Sequence, residues 1–258
     1  MSFNVVMREK IDNFLCYVGR IVMLLGHVVN ILFTKKPRFN LLYRQLVKIG
    51  LESLPIVFLT SVFIGIVIAL QSAYQMQKLS AEIYIASLVS LSVIRELGPV
   101  ITGLVVAGRV GASVSAELGT MKVTEQIDAM EAMATDSVQY LVIPRFLALL
   151  IMMPLLTIYA DIVGILGGFL IGVTKLGIGA TQYLRLTFEA LSMRDIYSGF
   201  TKPIVFAVII ALISSQEGFI AQGGAEGVGR ATTRTVVNTF ILIIVADCLI
   251  TALYYFIL

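Results

Sequence analysis

The chain has 258 residues, 58% of them hydrophobic and only 14% charged, where a soluble domain carries about 25% charged residues. This composition excludes an ordinary water-soluble enzyme and points to one integral membrane domain over 1–258, because no polar stretch is long enough to build a second folded unit. The lone His27, and Cys16 and Cys248 far apart in apolar surroundings, argue against a metal cluster or a structural disulfide; the net charge of +3 matters less than where the basic residues fall.

Residues 3–33 are apolar but interrupted. Asn13, Arg20 and His27 recur at intervals of seven, which on a helix makes one narrow polar stripe. That pattern predicts an amphipathic helix over 1–34 lying in the membrane surface, with a transmembrane span as the competing reading. No A-x-A-like site precedes the basic cluster Lys35, Lys36 and Arg38, so no cleavable signal peptide is expected. Pro37 ends the element.

Five spans are expected within residues 53–258, each near the ~20 residues needed to cross ~30 Å of hydrocarbon. They run Ser53–Gln77, Ile83–Gly108, Phe146–Thr174, Ile196–Gln216 and Thr235–Leu258. The first has no charge. The others hold Arg95 and Glu96, Asp161, Lys202, and Asp247 respectively. Thirteen Lys and Arg flank one side of these spans and four, Lys78, Lys175, Arg185 and Arg194, flank the other. The positive-inside rule then puts the N-terminus and the 109–145 loop in the cytoplasm and, with five spans, the C-terminus outside.

The stretch from Arg95 to Met133 concentrates the unusual features. Small residues recur every fourth position at Gly103, Ala107, Gly111, Ser115 and Gly119, with a second row at Gly108, Ala112 and Ala116. Such a face lets another backbone approach closely, within one subunit or between two. Gly164, Gly168 and Gly172 repeat the device in the third span. Intramembrane charges cost roughly 2.5–3.5 kcal/mol on insertion scales, so they face protein or a watery cavity. Arg95 and Glu96 can neutralise each other or pair across helices, with Lys202 the candidate partner of Glu96. Asp161 and Asp247 are expected to make structural hydrogen bonds.

The polar segment 120–136 follows. Thr124 is expected to cap a short helix carrying Ile127, Met130 and Ala134 on one side and Asp128 and Glu131 on another. Such a helix can dock in a partner's groove. The last basic loop, 223–235, is glycine-rich, yet the chain has no Gly-Lys dipeptide and therefore no P-loop. No nucleophile elbow, Ser/His/Asp set or metal cluster is present either. The chain is expected to be non-catalytic.

Two broad functions fit these residues: a membrane subunit whose cavity handles a charged or zwitterionic substrate and whose cytoplasmic helix docks a partner protein, or an ion- or proton-coupled carrier using Glu96, Asp161 and Asp247. The carrier is weakened by the lack of a visible inverted repeat. A third class, a scaffold, needs no charges inside four spans.

RELGPVITGLVVAGRVGASVSAELGTMKVTEQIDAMEAMATD (95–136) closely resembles the signature region of the MlaE family, permease subunits of bacterial lipid ABC transporters that work with MCE-domain proteins. DIYSGFTKPIVF (195–206) and EGVGRATTRTVV (226–237) resemble that family too, in the same order. The resemblance implies an all-α membrane protein in the bacterial inner membrane, with an N-terminal interfacial helix, five spans and a cytoplasmic coupling helix between the second and third. It implies a homodimer, a cytoplasmic ATPase dimer holding ATP and Mg, a STAS-type accessory protein and a periplasmic MCE-domain hexamer. It implies no cofactor on this chain and no nucleic-acid partner. The cargo would be a glycerophospholipid moved between inner and outer membranes, maintaining outer-membrane asymmetry. Arg95, Glu96, Leu97 and Lys202 match positions near a lipid cavity between the two permeases, and Gln71, Tyr74 and Met76 would add its wall. Thr124, Glu125, Gln126, Ile127, Asp128, Met130 and Glu131 would meet the ATPase.

Overall fold

The computed structural model describes residues 3–35, 38–78 and 81–257, except the side chains of 3–11, 13, 14 and 257; Asn13 of the expected stripe, with Lys36, Pro37 and Leu258, therefore lies outside what is described. Every regular element among the described residues is helical. The order is α1 (Phe3–Thr34), α2 (Phe39–Ile49), α3 (Leu54–Gln77), α4 (Ile85–Ser92), α5 (Gly98–Val106), α6 (Ala112–Val123), α7 (Gln126–Ala132), α8 (Ile143–Thr174), α9 (Ala180–Ala190), α10 (Met193–Phe219) and α11 (Gly224–Ile257). Among the described residues six segments are long and apolar enough to cross a membrane, one more than expected, because Leu15–Thr34 of α1 also qualifies.

The second span is longer than the sequence suggested. α4, α5 and α6 form one rod, joined by wide π-helical turns at Val93–Leu97 and Ala107–Gly111. Proline explains the first turn's geometry. Pro99 has no N–H to give the carbonyl four residues back, that of Arg95. The ladder instead widens, and the Gly98 amide donates to the Val93 carbonyl. Pro144 follows a third such turn, Val138–Val142, in the same way.

Other boundaries move for physical reasons. α10 begins at Met193 because Ser192 and Asp195 form a reciprocal capping box. α11 begins at Gly224, so most of the glycine-rich stretch expected to be a loop is helix, braced by an i,i+4 pair between Glu226 and Arg230. Thr124 does not cap α7. It closes α6, its hydroxyl donating to the Thr120 carbonyl at 2.8 Å, and Glu125 precedes α7 in the left-handed region at φ 60°. Ala134 has φ 55°, past the end of α7.

Small residues set the helix spacing. The ladder Gly103, Ala107, Gly111, Ser115 and Gly119 is buried, and faces Phe206, Ile210, Thr235 and Val228 of α10 and α11. In the α8 row, Gly164 faces Val93 and Ser61, Gly168 faces Val89, and Gly172 touches the ring of Tyr183. Tyr183, on α9, is fully buried and meets Phe169 edge-on with ring centroids 5.4 Å apart. α3 and α8 approach closest of all: a Cβ at Gly65 would overlap the Gly164 carbonyl.

This contact yields a test. Gly65→Ala forces two backbones apart and should destabilise the detergent-purified protein by about 1–3 kcal/mol, read as a lowered thermal midpoint. Gly229→Ala is the control, since nothing lies within 4 Å of its Cβ position, and should leave the midpoint unchanged or slightly raised.

Candidate functional site

Lys202 occupies the centre of the site. It lies one position before Pro203 on α10 and is 0% exposed. Its ammonium donates to Glu96 Oε2 at 2.5 Å and to the Arg95 carbonyl at 2.7 Å, and stands 2.9 Å from Asp247 Oδ1. That carbonyl lies four residues before Pro99, which has no N–H to give it, so the lysine supplies a donor to the rod's backbone as it completes its own shell. Thr251 donates to Glu96 from α11 at 3.2 Å. Three spans thus meet on one cation.

Arg95 turns away from its neighbour Glu96. Its Nε donates to Asp195 Oδ1 at 2.5 Å, and Asp195 is held on its other oxygen by the Ser192 amide and hydroxyl at 2.8 and 2.7 Å. Arg95 keeps about half its side chain exposed, at 53%, while Asp195 is nearly enclosed at 4%. Around them lies a cavity of about 320 Å³ lined by Arg95, Glu96, Arg194, Asp195, Ser198 and Tyr254, among others. Cations, carboxylates and hydroxyls therefore share one polar space inside apolar helices.

A second cavity, about 370 Å³, lies across the same wall. Ile94, Ile196 and Gly199 face it while their chain neighbours Arg95, Asp195 and Ser198 face the polar one, and Pro203 of α10, Asp161 and Thr157 of α8 and Phe188 of α9 contribute. Gly199 makes the wall thin, for its Cβ position lies 2.5 Å from the Ile94 carbonyl oxygen. Asp161 Oδ1 is buried without a hydrogen-bond partner, pressed against Gly98. Glu96 and Asp247 close onto Lys202, whereas Asp161 faces the apolar cavity, so the three acids of a carrier relay do not share one space.

The remaining expected residues divide by location. Leu97 lines a small gap with Ser61 and Gly164, away from the charges. Gln71 and Tyr74 are exposed on α3, and Met76 packs in a smaller apolar cluster around Ile85 and Tyr183; none of the three lines the polar cavity. On α7, Ile127 is buried at 3% and Met130 half-buried, while Asp128 and Glu131 point outward. Lys122 donates to Asp128 at 2.6 Å, Ser137 to Glu131 at 3.1 Å, and Gln126 to Thr124 at 3.1 Å. Sequence reasoning missed Asp195, Thr251 and Tyr254. Asp195 carried a signal, because Ser192-x-x-Asp195 reads as a cap ahead of an apolar run.

With this geometry in place, comparison with known proteins is decisive. The family described as Permease MlaE matches residues 42–253. The chain belongs to the MlaE permease family. It is 37% identical over 257 residues to the intermembrane phospholipid transport system permease protein MlaE of Haemophilus influenzae, covering 99% of this chain and 98% of that one. A probable ABC transporter permease protein of Rickettsia typhi is 50% identical over 216 residues, 84% of this chain and 83% of its own. The chloroplastic protein TRIGALACTOSYLDIACYLGLYCEROL 1 of Arabidopsis thaliana is 35% identical over 230 residues, 89% of this chain and 66% of its own. In this MlaE-family chain the quoted stretches fall on the rod from Arg95 through α6 and on α7, α10 and α11, and the rod, α10 and α11 are the elements that meet at Lys202.

Lys202→Ala leaves Glu96 and Asp247 facing each other without their cation. Removing one partner of a buried pair costs about 3–5 kcal/mol, so the variant should purify in low yield with a strongly lowered thermal midpoint. Arg95→Gln removes a half-exposed charge and should leave the midpoint much nearer wild type.

Proposed function

We propose that this chain is the non-catalytic permease subunit of an ATP-driven transporter that moves glycerophospholipid between the inner and outer bacterial membranes. The observation that carries the reading is the polar cavity at Arg95, set within apolar spans of an MlaE-family chain. A phospholipid needs apolar surface for two chains and a cation for its phosphate, and a guanidinium matches phosphate oxygens in geometry as well as charge. Arg95 is the group that supplies it. Lys202 is fully enclosed and acts at one remove, fixing Glu96 and the rod. Leu97, with Gln71, Tyr74 and Met76 on α3, completes the wall when two copies face each other across the cavity. The names of the relatives from Haemophilus and Arabidopsis support a lipid cargo, and the Rickettsia name supports an ABC system.

The partners follow the same reading: a second copy, an ATPase dimer carrying ATP and Mg, a STAS-type regulator on it and an MCE-domain hexamer on the periplasmic side. The whole chain acts as a single permease domain. The thirteen basic residues on one side of the spans support an N-terminus and α7 in the cytoplasm. In that orientation α1 lies along the membrane surface. Two contacts support this: Tyr17 meets Asn238 and Glu217, and His27, about 15 Å further along the helix, meets Asp136 at 3.3 Å. All three partners sit toward the cytoplasmic end. Burial raises the Asp136 carboxyl, but the Gln139 amide, His27 and Lys35 outweigh it and hold its pKa below the usual range. A lowered folded pKa stabilises above the ordinary carboxylate value, about 4, and the gain is lost only as acid drives pH through the lowered one. The Asp136 carboxylate of this contact therefore stays ionised throughout neutral pH.

α7 receives the motion of the ATPase through Glu125, Gln126, Ile127, Asp128, Met130 and Glu131, with Thr124 at its entry. Replacing Glu125 and Asp128 together with Lys should lower lipid-stimulated ATP hydrolysis of the purified complex; unchanged hydrolysis with intact assembly counts against this contact. Arg95→Gln should reduce the phospholipid that co-purifies, measured by mass spectrometry of extracted lipid. Wild-type lipid content and transfer in that variant would sink the cavity assignment.

A further inference from the structure

Glu117 forms a second polar joint, closer to α7. It stands six residues before α6 ends at Val123, about 9 Å of helix from the turn. Its carboxylate meets cations from two other elements, Lys48 of α2 on Oε1 and Arg145 of α8 on Oε2, the latter at 3.0 Å. Ser113, one turn back, donates to Oε1 at 3.2 Å. Arg145 is only 7% exposed, and its Nη1 donates to the Leu141 carbonyl at 2.6 Å, so the guanidinium is fixed in place.

The same rod grips α2 again, farther from α7. Arg109 donates to the Lys48 carbonyl at 2.5 Å, to Ser53 Oγ at 3.1 Å and to Glu52 at 3.3 Å. The Lys48 carbonyl lies in the last turn of α2, whose acceptors have no intrahelical donor. α2 then leads through residues 51–53 directly into α3.

We infer that Glu117 is the positioning residue through which displacement of α7 reaches α3 and α8. The inference rests on reading α7 as the ATPase contact. Apolar contact between helices is non-directional and lets them slide. A carboxylate held by two cations from different elements has a set geometry, so axial movement of α6 carries Lys48 and Arg145 with it. Arg109, on the same rod, holds the Lys48 carbonyl, so α2 is gripped at both side chain and main chain and moves with the rod. α2 and α8 are thereby driven together, and α3 with them.

The test uses the complete complex in proteoliposomes, measuring phospholipid transferred per ATP hydrolysed. Glu117→Gln keeps the side chain's size and its contact with Ser113 but removes the charge. It should assemble with the ATPase and hydrolyse ATP as wild type, while lipid moved per ATP falls by at least about fivefold, the lower end of usual coupling. Lys48→Gln and Arg145→Gln should each uncouple in part, and adding Glu117→Gln to either should give less than the summed loss, because the three share one joint. Wild-type lipid per ATP in Glu117→Gln overturns the inference. So does a loss that merely tracks a lowered thermal midpoint or poorer assembly, which marks a static brace. A wild-type preparation with no associated ATPase overturns the functional reading as well, whereas normal coupling in both proteins overturns the joint alone.

Discussion

An ammonium group in the hydrocarbon region must be surrounded by acceptors, and most of this architecture can be understood from how Lys202 meets that demand. Its shell draws Glu96 from the rod and Asp247 from α11, and takes the Arg95 carbonyl, to which Pro99 has no N–H to give. The proline, the wide turn at Val93–Leu97 and the lysine are therefore parts of a single arrangement. Neither helix can slide along the other without uncovering a charge. Glu96 is engaged by Lys202, and Arg95 beside it faces the polar cavity with Asp195 as its counter-ion. The fixed lysine makes the available arginine possible.

The wall between the cavities follows from the same turn. One strip of chain presents Ile94 to an apolar space and Arg95 to a polar one, and α10 does likewise with Ile196 and Asp195. Gly199 brings those two strips into backbone contact. Apolar and polar surfaces for the two ends of an amphiphile thus lie a residue apart. At the other end of the rod, Glu117 and Arg109 bind it to α2 and α8. One continuous element connects the charges at Arg95 and Glu96 to α7, with polar joints at both ends and a small-residue face between them.

Much of this was legible because membranes penalise exceptions. Lys202 and Glu96 stood out as charges in apolar runs, and each needed the other. The four-residue ladder and the Gly164–Gly168 row were legible for a similar reason, since small side chains at helical spacing have few uses besides close packing. What the sequence concealed was the partner on the far side. Tyr183 fills the notch at Gly172 from a short helix that hydropathy assigns to a connection. Asp195 looks like a flanking charge until its capping role places it beside Arg95. α11 starts eleven residues before its apolar run, because Glu226 and Arg230 support helix where glycines suggest a loop. Thr124 had the composition of a cap, but the left-handed turn at Glu125 gave it to the preceding helix instead. Whether α1 spans or lies flat is ambiguous by composition, since its apolar length suits both.

The most direct test of the central claim is the position of phospholipid density in an electron cryomicroscopy map of the complex purified in lipid nanodiscs. The account requires a lipid with its phosphate against Arg95 and its chains against apolar walls, between two copies of this chain and above an associated ATPase. A map with lipid confined to the outer, bilayer-facing surfaces, and the Arg95 cavity closed or filled only with water, would contradict it.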